Sequence, residues 1–144
     1  MIIKNVADIK RSNLYRIAEK CKKLNKKSVT VGIHKKDNKR YANGETTAEV
    51  GLWQEFGTAT IPPRMWLRIF IYLELYKKEL ENMINIGLKE NDNIKGFLND
   101  IGGYMKETIK ERILSNSILP HSKKDGITLV DTGQLVSSID YEVH

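Results

Sequence analysis

The stretch "SVTVGIH" (residues 28–34) decides how the rest of this chain is read. Val29, Val31 and Ile33 alternate with Thr30 and Gly32, the period of two that sets one side of an extended strand against a core. Its surroundings follow a different period. Residues 7–26 carry Leu14, Ile17, Ala18, Cys21 and Leu24 at three- and four-residue spacing with lysines between them, the mark of an amphipathic helix, so residues 1–27 read as a basic N-terminal helical segment. Alternation returns only at the far end, in Ile139, Tyr141 and Val143, and a strand there is placed to pair with 28–34. The expectation is an α+β chain: a small antiparallel sheet packed with three main helices, two of them long.

Between the two strands the chain is helix and turn. "KKDNKRYANGE" (35–45) has no period and contains Asn43-Gly44, which suits a mobile loop or a hairpin tip. Thr46 and Glu49 stand in capping-box spacing, so a helix starts there, with Ala48, Leu52 and Phe56 on its apolar face, Trp53 beside them, and Gly57 as its stop. Pro62 and Pro63 force an extended approach to a helix expected over 63–88, apolar nearly all round until Tyr76. A helix of that kind packs on several neighbours or on a partner. After a polar break (88–96), helical spacing resumes over 97–115, and Gly102-Gly103 within it reads as close helix packing. Residues 115–128 read as a second mobile loop, and Asp131 or Thr132 as the cap of a short helix ending at Ser138.

At 144 residues with 40% hydrophobic content, the chain suits one domain spanning 1–144. No run approaches the ~20 apolar residues of a membrane helix, and Asp8 and two lysines interrupt the N-terminal apolar stretch too early for a secretory signal. The single cysteine excludes an internal disulfide framework, and its place on the apolar face of the first helix predicts a core thiol. Charge is uneven. Residues 1–40 hold thirteen Lys/Arg against three acids (+10), and the remainder eleven against fifteen (−4), which together give the net +6. Such a basic segment suits a solvated helix face, an acidic neighbour or a nucleic acid; the last makes residues 1–40 a candidate DNA-binding module.

Catalytic chemistry finds little support. His34, His121 and His144 are not in ligand spacing with one another or with Cys21, and no metal or cofactor is expected. Ser137-Ser138 and Cys21 have no local His-acid arrangement, Gly102-Gly103 lacks the Lys-Ser/Thr of a phosphate loop, and neither Glu79/Glu81 nor Asp131/Asp140 carries a pocket signature. The conspicuous features are instead those of shape: Trp53, Phe56, Pro62, Pro63, Arg64, Trp66 and Arg68 crowd one short run. If the helix begins at Pro63, Arg64 and Arg68 share a face of its first turn, where they could grip a neighbour's carboxylates. These seven residues are the candidate subunit interface, with core packing the competing role for the aromatics.

Two stretches resemble a known family. "WQEFGTATIPPRMWLR" (53–68) is similar to the "EFGT…IPPRPFLR" signature of phage neck and tail-completion proteins, the head–tail connector components of long-tailed phages and prophages. Glu55, Phe56, Gly57, Thr58, Ile61, Pro62, Pro63, Arg64, Leu67 and Arg68 match, and Met65-Trp66 departs from it. "LVDTGQLVSSIDYEV" (129–143) resembles the same family's "LVDTGQLRNSI" close, through Leu129, Val130, Asp131, Thr132, Gly133, Leu135, Ser138 and Ile139, with Val136 departing. The resemblance implies a virion structural protein with no cofactor and no catalysis, in the host cytoplasm during assembly and then in the neck or upper tail. It implies as partners further copies of the chain in a six- or twelve-fold ring, neighbouring neck, tail-tube or tail-terminator proteins, and passing DNA, with no membrane.

Overall fold

The computed structural model describes residues 12–90, 92–115 and 133–144, and every structural statement below concerns those residues. In chain order they form α1 (Asn13–Leu24), β1 (Val29–Ile33), a 3-10 turn (Lys35–Asp37), α2 (Thr47–Phe56), α3 (Ile69–Tyr72), α4 (Glu74–Glu90), α5 (Ile94–Leu114), α6 (Gln134–Ser137) and β2 (Ile139–Val143). The class is α+β, with one two-stranded antiparallel sheet.

The two strands pair as their alternation requires, with Val29 opposite Val143, Val31 opposite Tyr141 and Ile33 opposite Ile139. Those six side chains therefore share one face, and α5 packs against both strands. Close approach is possible because Gly102 has no side chain: a Cβ there would lie 2.2 Å from the Tyr141 ring. Gly103 meets nothing, so only one glycine of the pair serves packing. Gly87 of α4 plays the same part against Phe97 of α5, whose ring a Cβ would approach to 2.1 Å. The core joins Trp66, Ile69, Phe70, Ile109, Ile113, Leu135, Val136 and Ile139.

Local signals set several boundaries. Thr46 and Glu49 make the expected reciprocal capping box at the start of α2, and Gly57 ends it at φ 80. Within 35–45, after the 3-10 turn, the chain takes the hairpin-tip form of the two expected, closed between residues 40 and 46. Arg40 pairs with Thr46, Tyr41 N–H donates to the Glu45 carbonyl, and Gly44 takes the left-handed turn position at φ 89.

Other expectations are corrected. Residues 63–88 are not one helix, because residues 63–68 stay outside the helical ladder and Leu73, at ψ 108, separates α3 from α4. The polar break before α5 is shorter than 88–96, since α4 continues to Glu90 and Asn93 caps α5 by accepting from Gly96 N–H. Cys21 is exposed, not core. The reason lies in how α1 docks: Arg16 and Lys20, one turn apart, both reach Asp92 beyond the end of α4, which turns Lys20 inward and leaves Leu14 exposed. Gly133, at φ 72, holds the position before α6. Asp131 and Thr132, proposed as its cap, lie outside the described residues, as do residues 1–11 and all but Ser115 of the 115–128 segment.

Candidate functional site

The run from Glu55 to Arg68 folds back along α2 as a clamp. Gly57 turns the chain where no side chain fits, since a Cβ would lie 2.8 Å from the Ile61 carbonyl oxygen and 2.9 Å from Pro63. Thr58 N–H donates to that carbonyl at 2.8 Å, while the Thr58 hydroxyl accepts from the N–H groups of Thr60 and Ile61. Pro62 and Pro63 then run extended and exposed, as their fixed φ demands. Arg64 N–H donates to the Gln54 carbonyl at 2.7 Å and its guanidinium to the Gln54 side-chain oxygen.

The returning segment is locked by a carboxylate inside the protein. Glu55 is 2% exposed and accepts from Leu67 N–H at 2.8 Å, Arg68 N–H at 3.3 Å and Arg68 Nε at 2.5 Å. It acts as a cap, delivered from another helix, for the chain entering α3. The charge-assisted bond to Glu55 is the main cause that raises the Arg68 pKa above its ordinary value. Between these two anchors Met65 sits at φ 34, a left-handed conformation that costs a non-glycine residue ~1 kcal/mol and that the bonds on either side impose. The payload is Trp66, 2% exposed, whose Nε1 donates to the Gly51 carbonyl at 2.9 Å.

This geometry reassigns the candidate interface residues. Arg64 and Arg68 do not share a helical face; Arg64 precedes the helix, Arg68 is its N-cap, and both reach back onto α2. Trp66 belongs to the core and Trp53 is half-buried. The buried side of α2 is Thr47, Gly51 and Glu55, while Leu52 and Phe56, expected inside, are exposed. What remains at the surface is a knob. The Arg68 guanidinium lies 4.3 Å from the centre of the Phe56 ring and 5.3 Å from that of Tyr72; Leu52 of α2, Ile71 of α3 and Leu75 of α4 are also exposed.

The second stretch of the resemblance meets the first on α2. Leu135 packs beside Trp66 against Gly51, where a Cβ would lie 3.1 Å from the indole and 3.3 Å from Leu135. The Gln134 side chain donates to the Thr47 hydroxyl at 2.8 Å, which itself donates to the Lys39 carbonyl. Ser138 is buried beside them.

Strand pairing also collects two histidines that the linear spacing kept apart. His34 Nε2 and His144 Nε2 lie 3.0 Å and 3.1 Å from the Thr30 hydroxyl, so that one hydroxyl can serve both rings. Among the described residues no group of three or more His, Cys, Asp or Glu could hold a metal ion, and His121 lies outside them. The basic segment is partly neutralised: Arg16 and Lys20 pair with Asp92, Lys22 with Glu19, and Lys36 with Asp140 and Glu142. No helix among the described residues is long and apolar enough to cross a membrane. No protein-family model, curated protein or solved structure matches the chain.

Proposed function

We propose that this chain is a structural assembly protein whose copies associate into a ring at the neck or upper end of a phage or phage-like tail. The observation that carries the reading is the meeting of the two motif stretches on α2. Glu55, Gly57, Pro63, Arg64 and Arg68 build the clamp, and Leu135 and Gln134 of the closing motif pack on the same buried side of that helix, at Gly51 and Thr47. Such residues hold a shape, since Glu55 and Gln54 bond the returning backbone and its arginines. The clamp presents Leu52, Phe56, Ile71, Tyr72 and Leu75 outward at fixed angles, as a repeating subunit contact requires.

Sedimentation and light scattering on the purified protein, with mass analysis of purified tail particles, test the reading. A ring mass, or the protein's presence in the particles, supports it. A protein that stays monomeric at high concentration and is absent from particles overturns it. The alternative reading as a DNA-binding module requires duplex binding at low salt that weakens steeply as salt is added; Asp92, Asp140 and Glu142, which pair with Arg16, Lys20 and Lys36 from outside the segment, reduce the charge on which it rests.

A further inference from the structure

We infer that the contact between copies is heterologous: the Phe56–Arg68–Tyr72 knob of one subunit seats in the groove between α4 and α5 of the next. This inference rests on the ring reading above and names its two surfaces. Five of the large apolar side chains that stand exposed, Leu52, Phe56, Ile71, Tyr72 and Leu75, lie on α2, α3 and the first turn of α4, the elements that carry the knob. Their exposures run from 56% to 68%. At ~200 Å² for each large side chain, the five offer about 600 Å², close to the ~800 Å² that one partner contributes to a standard stable interface. Arg68 stands at its centre between two rings; its charge is balanced by the buried Glu55 carboxylate, which holds Nε and leaves further guanidinium N–H donors.

The groove has the opposite character. It is a cleft of about 440 Å³ with Met83, Ile86, Phe97 and Ile101 as apolar lining and Glu90 and Asp100 among its walls. Neither carboxylate has an ion-pair partner among the described residues, and Ile86 is 48% exposed. An apolar cleft walled by two unpaired acids offers lining for the two rings and acceptors for the guanidinium N–H groups that Glu55 does not hold. Gly87 shapes the cleft floor by letting Phe97 lie against α4. The knob stands where α4 begins and the groove where it ends, about 15 Å of helix apart. One subunit thus offers two different, complementary surfaces, which is what head-to-tail closure requires.

The test is complementation between two variants. Phe56→Glu disables the knob and keeps the groove, and Ile86→Glu disables the groove and keeps the knob; both positions are exposed, and circular dichroism checks that each variant folds. Each variant alone should associate at least ~30-fold more weakly than the parent. An equimolar mixture should form a one-to-one dimer that grows no further, and Glu90→Lys with Asp100→Lys should reproduce the Ile86→Glu defect. Either variant assembling like the parent overturns the contact while leaving the ring reading in place. Two defective variants that fail to complement overturn its heterologous character. A parent that is a closed dimer, blocked by both substitutions, keeps the two surfaces and overturns the ring.

Discussion

Replacing Glu55 by alanine should destabilise the isolated subunit by about 3 kcal/mol, although the position looks like an ordinary helix glutamate in sequence. The substitution strands the N–H groups of Leu67 and Arg68, each worth ~1 kcal/mol at the low end of the range because both residues are half-buried. It also removes the carboxylate that holds Arg68 Nε. That charge-assisted bond is discounted to ~1 kcal/mol because Arg68, 30% exposed at its side chain, can turn to water. For a domain of this size the sum corresponds to a fall in Tm of ~9 °C. Urea unfolding of Glu55→Ala, Arg68→Ala and the double variant separates the terms: the cycle should show a coupling of ~1 kcal/mol, with the remaining ~2 kcal/mol of the Glu55 effect persisting when Arg68 is already gone. Glu55→Gln, which keeps the shape and one acceptor, should recover about half. A Glu55→Ala protein within ~0.5 kcal/mol of the parent would refute the argument, because that is the behaviour of a surface residue without partners.

Gly102→Ala should cost ~2 kcal/mol or more, because its Cβ would stand 2.2 Å from the Tyr141 ring, whereas Gly103→Ala, with open space at its Cβ, should stabilise by ~0.5 kcal/mol through helix propensity; thermal melts of the two compare them directly. Thr46→Ala should lose the capping box at the start of α2 and ~1 kcal/mol in urea titrations. The docking of α1 should be acid-sensitive. The Lys20 ammonium and then the Arg16 guanidinium hold the Asp92 carboxyl below its ordinary value of 3.8, so the stabilisation is complete above that pH and is lost as pH falls through the lowered value. Hydrogen exchange of the α1 amides across pH 2–6, compared with Asp92→Asn, reads this loss, and identical acid profiles for the two proteins would exclude Asp92 as its source.

The features legible in sequence were those governed by a few adjacent residues. The alternation at 28–34 and 139–143 fixed which side chains face α5, and the register of the strand pair follows from it. The capping box, the Gly57 stop and the Asn43-Gly44 hairpin are likewise local. The buried side of α2 was not legible, because a count of apolar residues favours Ala48, Leu52 and Phe56. The actual choice depends on Trp66 and Arg68 returning across Gly51 and Glu55, a tertiary event. The spacing of Thr47, Gly51 and Glu55, one turn apart in the row beside the apolar residues, was the available signal. The interruption at Leu73 has no glycine or proline to announce it; packing of Ile69 and Phe70 into the core sets the direction of α3 separately from that of α4. The joining of His34 and His144 at Thr30 needed the strand register and could not come from spacing.

The same features show what the polar groups of a run so rich in arginine and aromatic residues do: they hold its own backbone. A catalytic arginine or carboxylate is held near its target with hydrogen-bonding capacity left over, whereas Glu55 spends its oxygens on two backbone amides and one guanidinium of the segment it anchors. The strain at Met65 has the same meaning, since it sits between the Gln54 and Glu55 anchors and fixes the angle at which α3 leaves the clamp. That angle sets where Tyr72 stands relative to Phe56, and hence the stacking that orders Arg68 between them. A surface organised in this way by buried hydrogen bonds is rigid before any partner arrives, and rigidity lowers the ordering cost of each repeated contact. Loosening the clamp should therefore weaken association more than the lost contact area alone would, and Glu55→Gln, which removes no area from Phe56 or Tyr72 while loosening the anchor of Arg68 and of the returning backbone, is the substitution that separates the two effects.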